Sequence, residues 1–144
     1  MPPTPLYKFA LSGLLIILSL IIIFHLLVLF GIIPFDIVWG GRLKDRKEML
    51  GFETVSLVLN LVMLFIVCIR AGIIKVPVHQ NIIRTALWVM FVLFSLNTIG
   101  NLLSKNELEK IIFTPLTLIL AICSFVLAFR KEAVRSAKNT STTS

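Results

Sequence analysis

Four long apolar blocks constrain this chain more than any other feature of its sequence. They cover approximately residues 9–31, 53–74, 83–103 and 111–129, and a helix needs about 20 apolar residues to cross the hydrocarbon core of a bilayer. The blocks lack the alternation of apolar and polar residues that membrane barrel strands show. Because only helices and closed barrels satisfy their backbone in lipid, the sequence predicts an all-α integral membrane protein, an up-down four-helix bundle.

Little of the chain lies outside these blocks. Residues 1–135 are predicted to form a single four-span transmembrane domain, and residues 136–144 are predicted to be a disordered polar tail. The first block is longer than the 7–15 apolar residues of a typical signal peptide, and no small-residue cleavage site follows it. We therefore count the first block as a span.

The net charge of +7 could suggest a nucleic-acid partner, but in a chain of this class it more plausibly reflects orientation in the membrane. An even number of spans places both termini on one side. That side carries eight basic residues: Lys8, Arg70, Lys75, Arg84, Arg130, Lys131, Arg135 and Lys138. The other side carries six: Arg42, Lys44, Arg46, Lys47, Lys105 and Lys110. The excess of basic residues on the first side favours cytoplasmic termini. Because orientation accounts for the charge, we expect no nucleic-acid partner.

Chemical motifs are absent from the sequence. The two cysteines, Cys68 and Cys123, lie inside separate spans and form no CxxC pair, so neither a metal site nor a redox pair is indicated. There is no HxxxH cluster and no GxSxG. We predict no catalytic residue, no metal and no cofactor.

A charged, glycine-hinged loop follows the first span. We expect Trp39, Gly40, Gly41 and Arg42 to form a cover over one end of the bundle, because the glycines permit a sharp turn and tryptophan suits the membrane interface. Two capping patterns flank this end. Asp45-x-x-Glu48 predicts a helix from Arg46 onward, and Asn106-x-x-Glu109 predicts one from about Glu107.

Polar residues inside the spans share one depth. His25, Asn60, Asn97 and Thr117 each lie six or seven residues from the span end nearest the Trp39 loop. At 1.5 Å per residue they should all lie roughly 9–11 Å below the same membrane face. The spans thus predict a polar layer on the side of the loop.

Helical spacing extends this layer and predicts that it faces inward. The added residues are Glu53 on the second span, Asn101 on the third and Thr114 on the fourth. Two interpretations remain open. The side chains hold the bundle together by hydrogen bonds, or they line a cavity in which His25 and Glu53 are the titratable groups.

Three functions compete. The favoured one is a non-catalytic binding or accessory subunit whose partners are membrane lipids, an apolar small molecule or another membrane protein. An enzyme acting on a lipid-like or quinone-like substrate would use His25 and Glu53 as an acid–base pair. A small transporter is the third. Four-span drug exporters rely on a carboxylate in the first span, and this chain has none there.

The stretches "PFDIVWGGRLK" at 34–44 and "LNTIGNLLSKNELEK" at 96–110 resemble those of a family of small, uncharacterised four-span membrane proteins from bacteria. The resemblance covers most of the chain. It implies a four-helix membrane fold in a bacterial inner membrane, and it transfers no activity and no functional residue.

Overall fold

The helices begin and end where short-range signals in the sequence place them. The computed structural model describes residues 4–35, 38–39 and 42–129, and in this part of the chain it contains helices and no strands. The helices are α1 (Pro5–Leu29), α2 (Arg46–Arg70), α3 (Gln80–Leu102), a π-helical turn (Glu109–Phe113) and α4 (Thr114–Phe129), which continues that turn. The predicted polar tail lies outside the described residues.

The π-helical turn and α4 form one continuous segment, Glu109–Phe129. With α1, α2 and α3 this gives four helical segments that are long and apolar enough to cross a membrane. The predicted fold class, an all-α four-helix bundle of an integral membrane protein, is confirmed. Each of the four segments begins before its predicted span, by seven residues in α2, which starts at Arg46, and by two to four in the others. The first two also end earlier than predicted, at Leu29 and Arg70.

Helix ends show the physical reasons for the boundaries. Asp45 caps α2, as predicted, by accepting a hydrogen bond from the Glu48 backbone N–H at 2.8 Å, and the Glu48 carboxylate accepts one from the Lys44 backbone N–H at 3.0 Å. Gly31 and Gly72 follow α1 and α2 with φ of +74°. This left-handed backbone suits glycine, which has no Cβ, and it ends each helix.

The fourth span begins irregularly. Residues 107 and 108 are already helical, as predicted, and the Asn106 side chain accepts a hydrogen bond from the Leu108 backbone N–H at 2.9 Å. The π-helical turn then closes with a bond from the Thr114 N–H to the Glu109 carbonyl. Pro115 directly follows and has no N–H to continue a regular ladder.

The helices are arranged as an open arc in the order α2, α1, α4, α3. Extensive contacts join α3 to α4, and α1 packs on both α2 and α4, whereas α2 and α3 touch at few points. The largest buried side chains of the core include Leu14, Leu18, Leu87, Leu120 and Leu127. Sequential helices are therefore close neighbours in the first and last pairs, but a groove separates the middle pair.

Contacts between helix ends show that the chain direction alternates. His25, near the end of α1, meets Glu53, near the start of α2. Arg70, at the end of α2, meets Gln80, at the start of α3. We call the end with connections 30–45 and 103–108 the loop end, and the end with the 71–79 connection the terminal end.

Candidate functional site

Glu53 is the centre of the most unusual site in the described structure. Its side chain is only 1% exposed, two turns into a helix that is otherwise apolar enough to span a membrane. His25 Nδ1 lies 2.6 Å from Glu53 Oε2, and Trp39 donates its indole N–H to Glu53 Oε1 at 2.8 Å. Each carboxylate oxygen therefore has its own partner, from α1 on one side and from the loop on the other. We call these three residues the carboxylate cluster.

The loop residue of this cluster has a strained backbone. Trp39 has φ of +56°, a left-handed conformation that is uncommon for residues other than glycine, asparagine and aspartate. Its neighbour Val38 is buried against Val28 of α1 and Met49 of α2. The loop is thus anchored by an apolar contact at Val38 and by the hydrogen bond from Trp39 to Glu53.

Aromatic rings surround the cluster. The Trp39 and Phe52 rings lie 5.0 Å apart, and Phe24 lies 5.1 Å from Phe113 in the π-helical turn of the fourth span. Phe24 also contacts the His25 ring edge-on at 6.0 Å between centroids. Rings that exclude water strengthen the hydrogen bonds to the carboxylate, because the local dielectric constant falls.

A second group of polar side chains joins α3 to α4. The hydroxyls of Thr98 and Thr117 lie 3.0 Å apart, and the Asn101 amide donates to Thr117 Oγ1 at 3.4 Å. Each hydroxyl also lies 2.8 Å from a carbonyl of its own helix, that of Phe94 or Phe113. We call Thr98, Asn101 and Thr117 the hydroxyl cluster.

The predicted polar layer is thus divided between two helix pairs. His25 and Glu53 meet between α1 and α2, whereas Asn101 and Thr117 meet between α3 and α4. Asn60 is half-buried and donates to the Ser56 carbonyl of its own helix at 2.8 Å.

The other predicted site residues have different surroundings. Thr114 is half-buried, with its hydroxyl 3.5 Å from the Glu109 carbonyl. Arg42 of the predicted loop cover is exposed. Gly40 and Gly41 lie outside the described residues.

The prediction that Asn97 faces inward is wrong, because Asn97 is exposed and the next residue, Thr98, is buried. The inward face of the third span was predicted from the four-residue spacing of Asn97 and Asn101. The inward face of α3 is instead marked by an apolar stripe whose spacing ends at Thr98: Ile83, Leu87, Met90, Phe94 and Thr98. The spacing of this apolar stripe is visible in the sequence, and extending it by one turn predicts that Thr98 faces inward.

Glu109 was predicted only as part of the cap of the fourth span, but its surroundings set it apart. It is 8% exposed and lies in the π-helical turn, the kind of irregularity that is frequent at functional sites. The loop end therefore buries two carboxylates, Glu53 and Glu109. Among the described residues, no three His, Cys, Asp or Glu side chains are grouped closely enough to hold a metal ion.

The geometry gives the His25 ring a defined chemical role. If its Nδ1–H donates to the Glu53 carboxylate, a neutral imidazole presents Nε2 as a hydrogen-bond acceptor. If the ring is protonated, it forms an ion pair with Glu53. In either state the carboxylate orients the ring, and the cluster can bind a polar group or exchange a proton with it.

No protein-family model matches this chain, and the comparisons with curated proteins and with solved structures give no match. Its function is therefore inferred from the geometry of the site, which is where function resides even when a fold is familiar.

Proposed function

We propose that the protein is a non-catalytic binding or accessory protein of a bacterial cytoplasmic membrane, with both termini in the cytoplasm. Its binding site is the carboxylate cluster at the loop end. The observation that carries this proposal is a carboxyl group that is 1% exposed in an apolar helix and is hydrogen-bonded to His25 of α1 and to the Trp39 indole N–H of the loop. Buried ionisable groups in membrane spans are costly and mark functional sites.

The strained Trp39 supports the same proposal. A left-handed backbone at a residue other than glycine costs about 1–3 kcal/mol, and such strain persists at ligand clamps and switch regions. The Trp39 side chain is 40% exposed, so its bond to Glu53 is the more accessible of the two. A ligand that donates a hydrogen bond can take the place of the indole N–H on Glu53 Oε1.

The surrounding rings define the rest of the ligand. Phe52 is 49% exposed beside Trp39, and both present apolar surface at the loop end. The proposed ligand is therefore an apolar small molecule, or a helix of another membrane protein, that carries one hydrogen-bond donor. Membrane lipids are the general surroundings of the site, and no nucleic acid is expected to bind.

Tryptophan fluorescence tests the proposal directly. The chain has two tryptophans, and Trp88 packs between Phe91 and Phe125, so Trp88→Phe should keep the fold and leave Trp39 as the single reporter. Adding a bacterial lipid extract to this variant in detergent should shift the Trp39 emission, since the indole leaves the carboxylate. Native mass spectrometry of the same sample identifies the retained molecule.

A matched control separates binding at the cluster from general effects of lipid. Glu53→Leu in the Trp88→Phe background removes both acceptor oxygens, so it should show the shifted emission before any extract is added and little change afterwards. If the extract leaves Trp39 emission constant and the purified protein retains neither a small molecule nor a partner, the binding proposal is contradicted.

A second candidate function rests on one distance. His25 Nδ1 and Glu53 Oε2 are 2.6 Å apart, the arrangement in which a carboxylate orients a histidine that acts as a general base or acid through Nε2. The substrate would be lipid-like or quinone-like. His25→Ala in cells should then change the extracted lipid or quinone profile, and an unchanged profile counts against this function.

Orientation has its own test. Single cysteines at Lys44, in the loop end, and at Lys75, in the terminal end, can be introduced after Cys68 and Cys123 are replaced by alanine. Both lysines are exposed. Only the cysteine at position 44 should react with an impermeant maleimide outside intact cells. Labelling of position 75 instead would invert the proposed topology.

A further inference from the structure

An apolar groove separates α2 from α3. It has a volume of about 540 Å³ and exists because α2 packs on α1 while α3 packs on α4. Its walls are formed by one or two side chains per helical turn, including Leu59, Met63 and Ile66 from α2 and Ala86, Met90 and Leu93 from α3. Within a membrane, such a groove accepts an extended hydrocarbon chain.

The groove changes character toward the terminal end. There, Asn81 and Thr85 of the first turns of α3 join its lining. Arg70 extends from the end of α2, and its guanidinium lies 3.3 Å from Gln80 Oε1 on α3 and 3.4 Å from the Leu127 carbonyl on α4. A cation therefore bridges the two walls of the groove at this end.

The charges around this end have one sign. Lys8, Arg70, Lys75 and Arg84 are the charged residues in the described segments of the terminal end, and no acid accompanies them there. The described part of the loop end, in contrast, mixes bases with acids such as Asp45, Glu48 and Glu107. An anion is thus favoured at one end of the groove only.

We propose that the groove between α2 and α3 is a binding site for an anionic phospholipid. One acyl chain lies along the apolar walls, and the phosphate lies at the terminal end near Arg70 and Lys75. An apolar channel that ends in basic residues matches both parts of such a lipid, and basic pockets between membrane helices bind anionic head groups. The site is at the opposite end of the bundle from the carboxylate cluster and is independent of the function proposed there.

The test compares phosphatidylglycerol with phosphatidylcholine of identical acyl chains, titrated into the purified full chain in detergent and followed by native mass spectrometry. The wild type should retain phosphatidylglycerol at least about five-fold more tightly, since one basic charge near a membrane surface contributes about 1 kcal/mol. Equal retention of the two lipids would overturn the proposal.

Matched variants locate the lipid. Ala86→Phe fills the groove and should abolish the tightly retained lipid, whereas Val92→Phe, on the same helix but outside the groove lining, should leave retention unchanged. Lys75→Gln should weaken phosphatidylglycerol binding by about five-fold, and Lys105→Gln, an exposed lysine of the loop end, should not.

Two further results would overturn the assignment. One is an identical response from both members of either pair, which would make the bound lipid part of the general annulus. The other is occupation of the groove by a second copy of the chain or by a helix of another protein, seen as a stable protein complex that Ala86→Phe dissociates.

Discussion

The carboxylate cluster and the hydroxyl cluster lie near the same end of one bundle but satisfy their polar groups in different ways. Thr98 and Thr117 each have a carbonyl of their own helix 2.8 Å away, so their contact across helices is an addition to bonds already available locally. Glu53 differs, because among the described residues its hydrogen-bond partners lie on α1 and in the loop and not on its own helix.

This difference separates two uses of polarity inside a membrane protein. A hydroxyl can return to its own helix, so losing its neighbour costs little. A carboxylate depends on donors from elsewhere in the chain, and losing them leaves a buried charge uncompensated. The hydroxyl cluster therefore fits the interpretation of hydrogen bonds that hold helices together, whereas the carboxylate cluster requires a more specific explanation.

Glu53→Ala should give the largest loss of stability among the variants of the two clusters. Its removal leaves two donors, on His25 and Trp39, without their acceptor, and the loss of one partner of a buried pair typically costs about 3–5 kcal/mol. The free energy of unfolding, measured in mixed detergent micelles, should fall by about 3 kcal/mol. Glu107→Ala is the control, because Glu107 is 73% exposed and should change stability by less than about 0.5 kcal/mol. Equal losses of stability in the two variants would mean that the buried Glu53 contributes no more than an exposed surface carboxylate.

Trp39→Phe should give an intermediate effect. The variant keeps an aromatic ring beside Phe52 but removes the indole N–H that Glu53 accepts at 2.8 Å. A hydrogen bond to a charged group contributes about 1.5–3 kcal/mol, and the partial exposure of Trp39 places the expected loss near the lower value. Proteolysis of the 30–45 connection should also become faster. Phe52→Leu, which keeps the hydrogen bond, should leave the cleavage rate close to that of the wild type.

Thr117→Val should give a small loss. The change removes the hydroxyl that Thr98 and Asn101 approach, and interhelical hydrogen bonds in membranes average about 0.6 kcal/mol. The double variant Thr98→Val/Thr117→Val should lose less than the sum of the single losses, because the two hydroxyls share one contact. A loss above about 2 kcal/mol for Thr117→Val would mean that the hydroxyl cluster depends on its contacts across helices as strongly as the carboxylate cluster does.

Asn97→Leu should have the smallest effect. Asn97 is exposed, so in a membrane its amide faces the surroundings of α3, and replacement by leucine should leave stability unchanged or raise it slightly. Asn101→Leu, one turn further along the same helix, should lower stability by about 0.6 kcal/mol because it removes the bond to Thr117. The same thermal unfolding assay ranks the two variants, and the reverse order would mean that Asn97 has a partner inside the bundle.

Much of the architecture was predictable from local sequence. The capping residues Asp45 and Asn106 predicted the starts of α2 and of the fourth span, because a cap acts on backbone groups only a few residues away. His25 was predicted to lie at the depth of Asn60, but α2 begins at Arg46, and Glu53 is the residue of α2 that meets His25. The pairing of His25 with Glu53 was one alternative among several, since spacing along a helix does not give the distance to another helix.

The sequence was less informative about which face of a helix points into the bundle. Asn97 and Thr98 are adjacent in sequence but differ by about 100° around the helix. Asn97 was chosen because it is the more polar residue, yet the packing of α3 against α4 decided which of the two faces inward. Thr98 is buried against Thr117 of α4, and Asn97 is exposed.

The sequence by itself determined how many helical spans there are and, through Asp45 and Asn106, where two of them begin, because backbone groups in lipid are satisfied within helices and a cap acts on groups only a few residues away. The tertiary structure alone decided that α2 and α3 stand apart around a groove. It also decided that Trp39 reaches Glu53, and that Arg70 and Arg84 meet the end of α4. These contacts join residues 14 to 57 positions apart, and which of them form depends on how whole helix surfaces fit together.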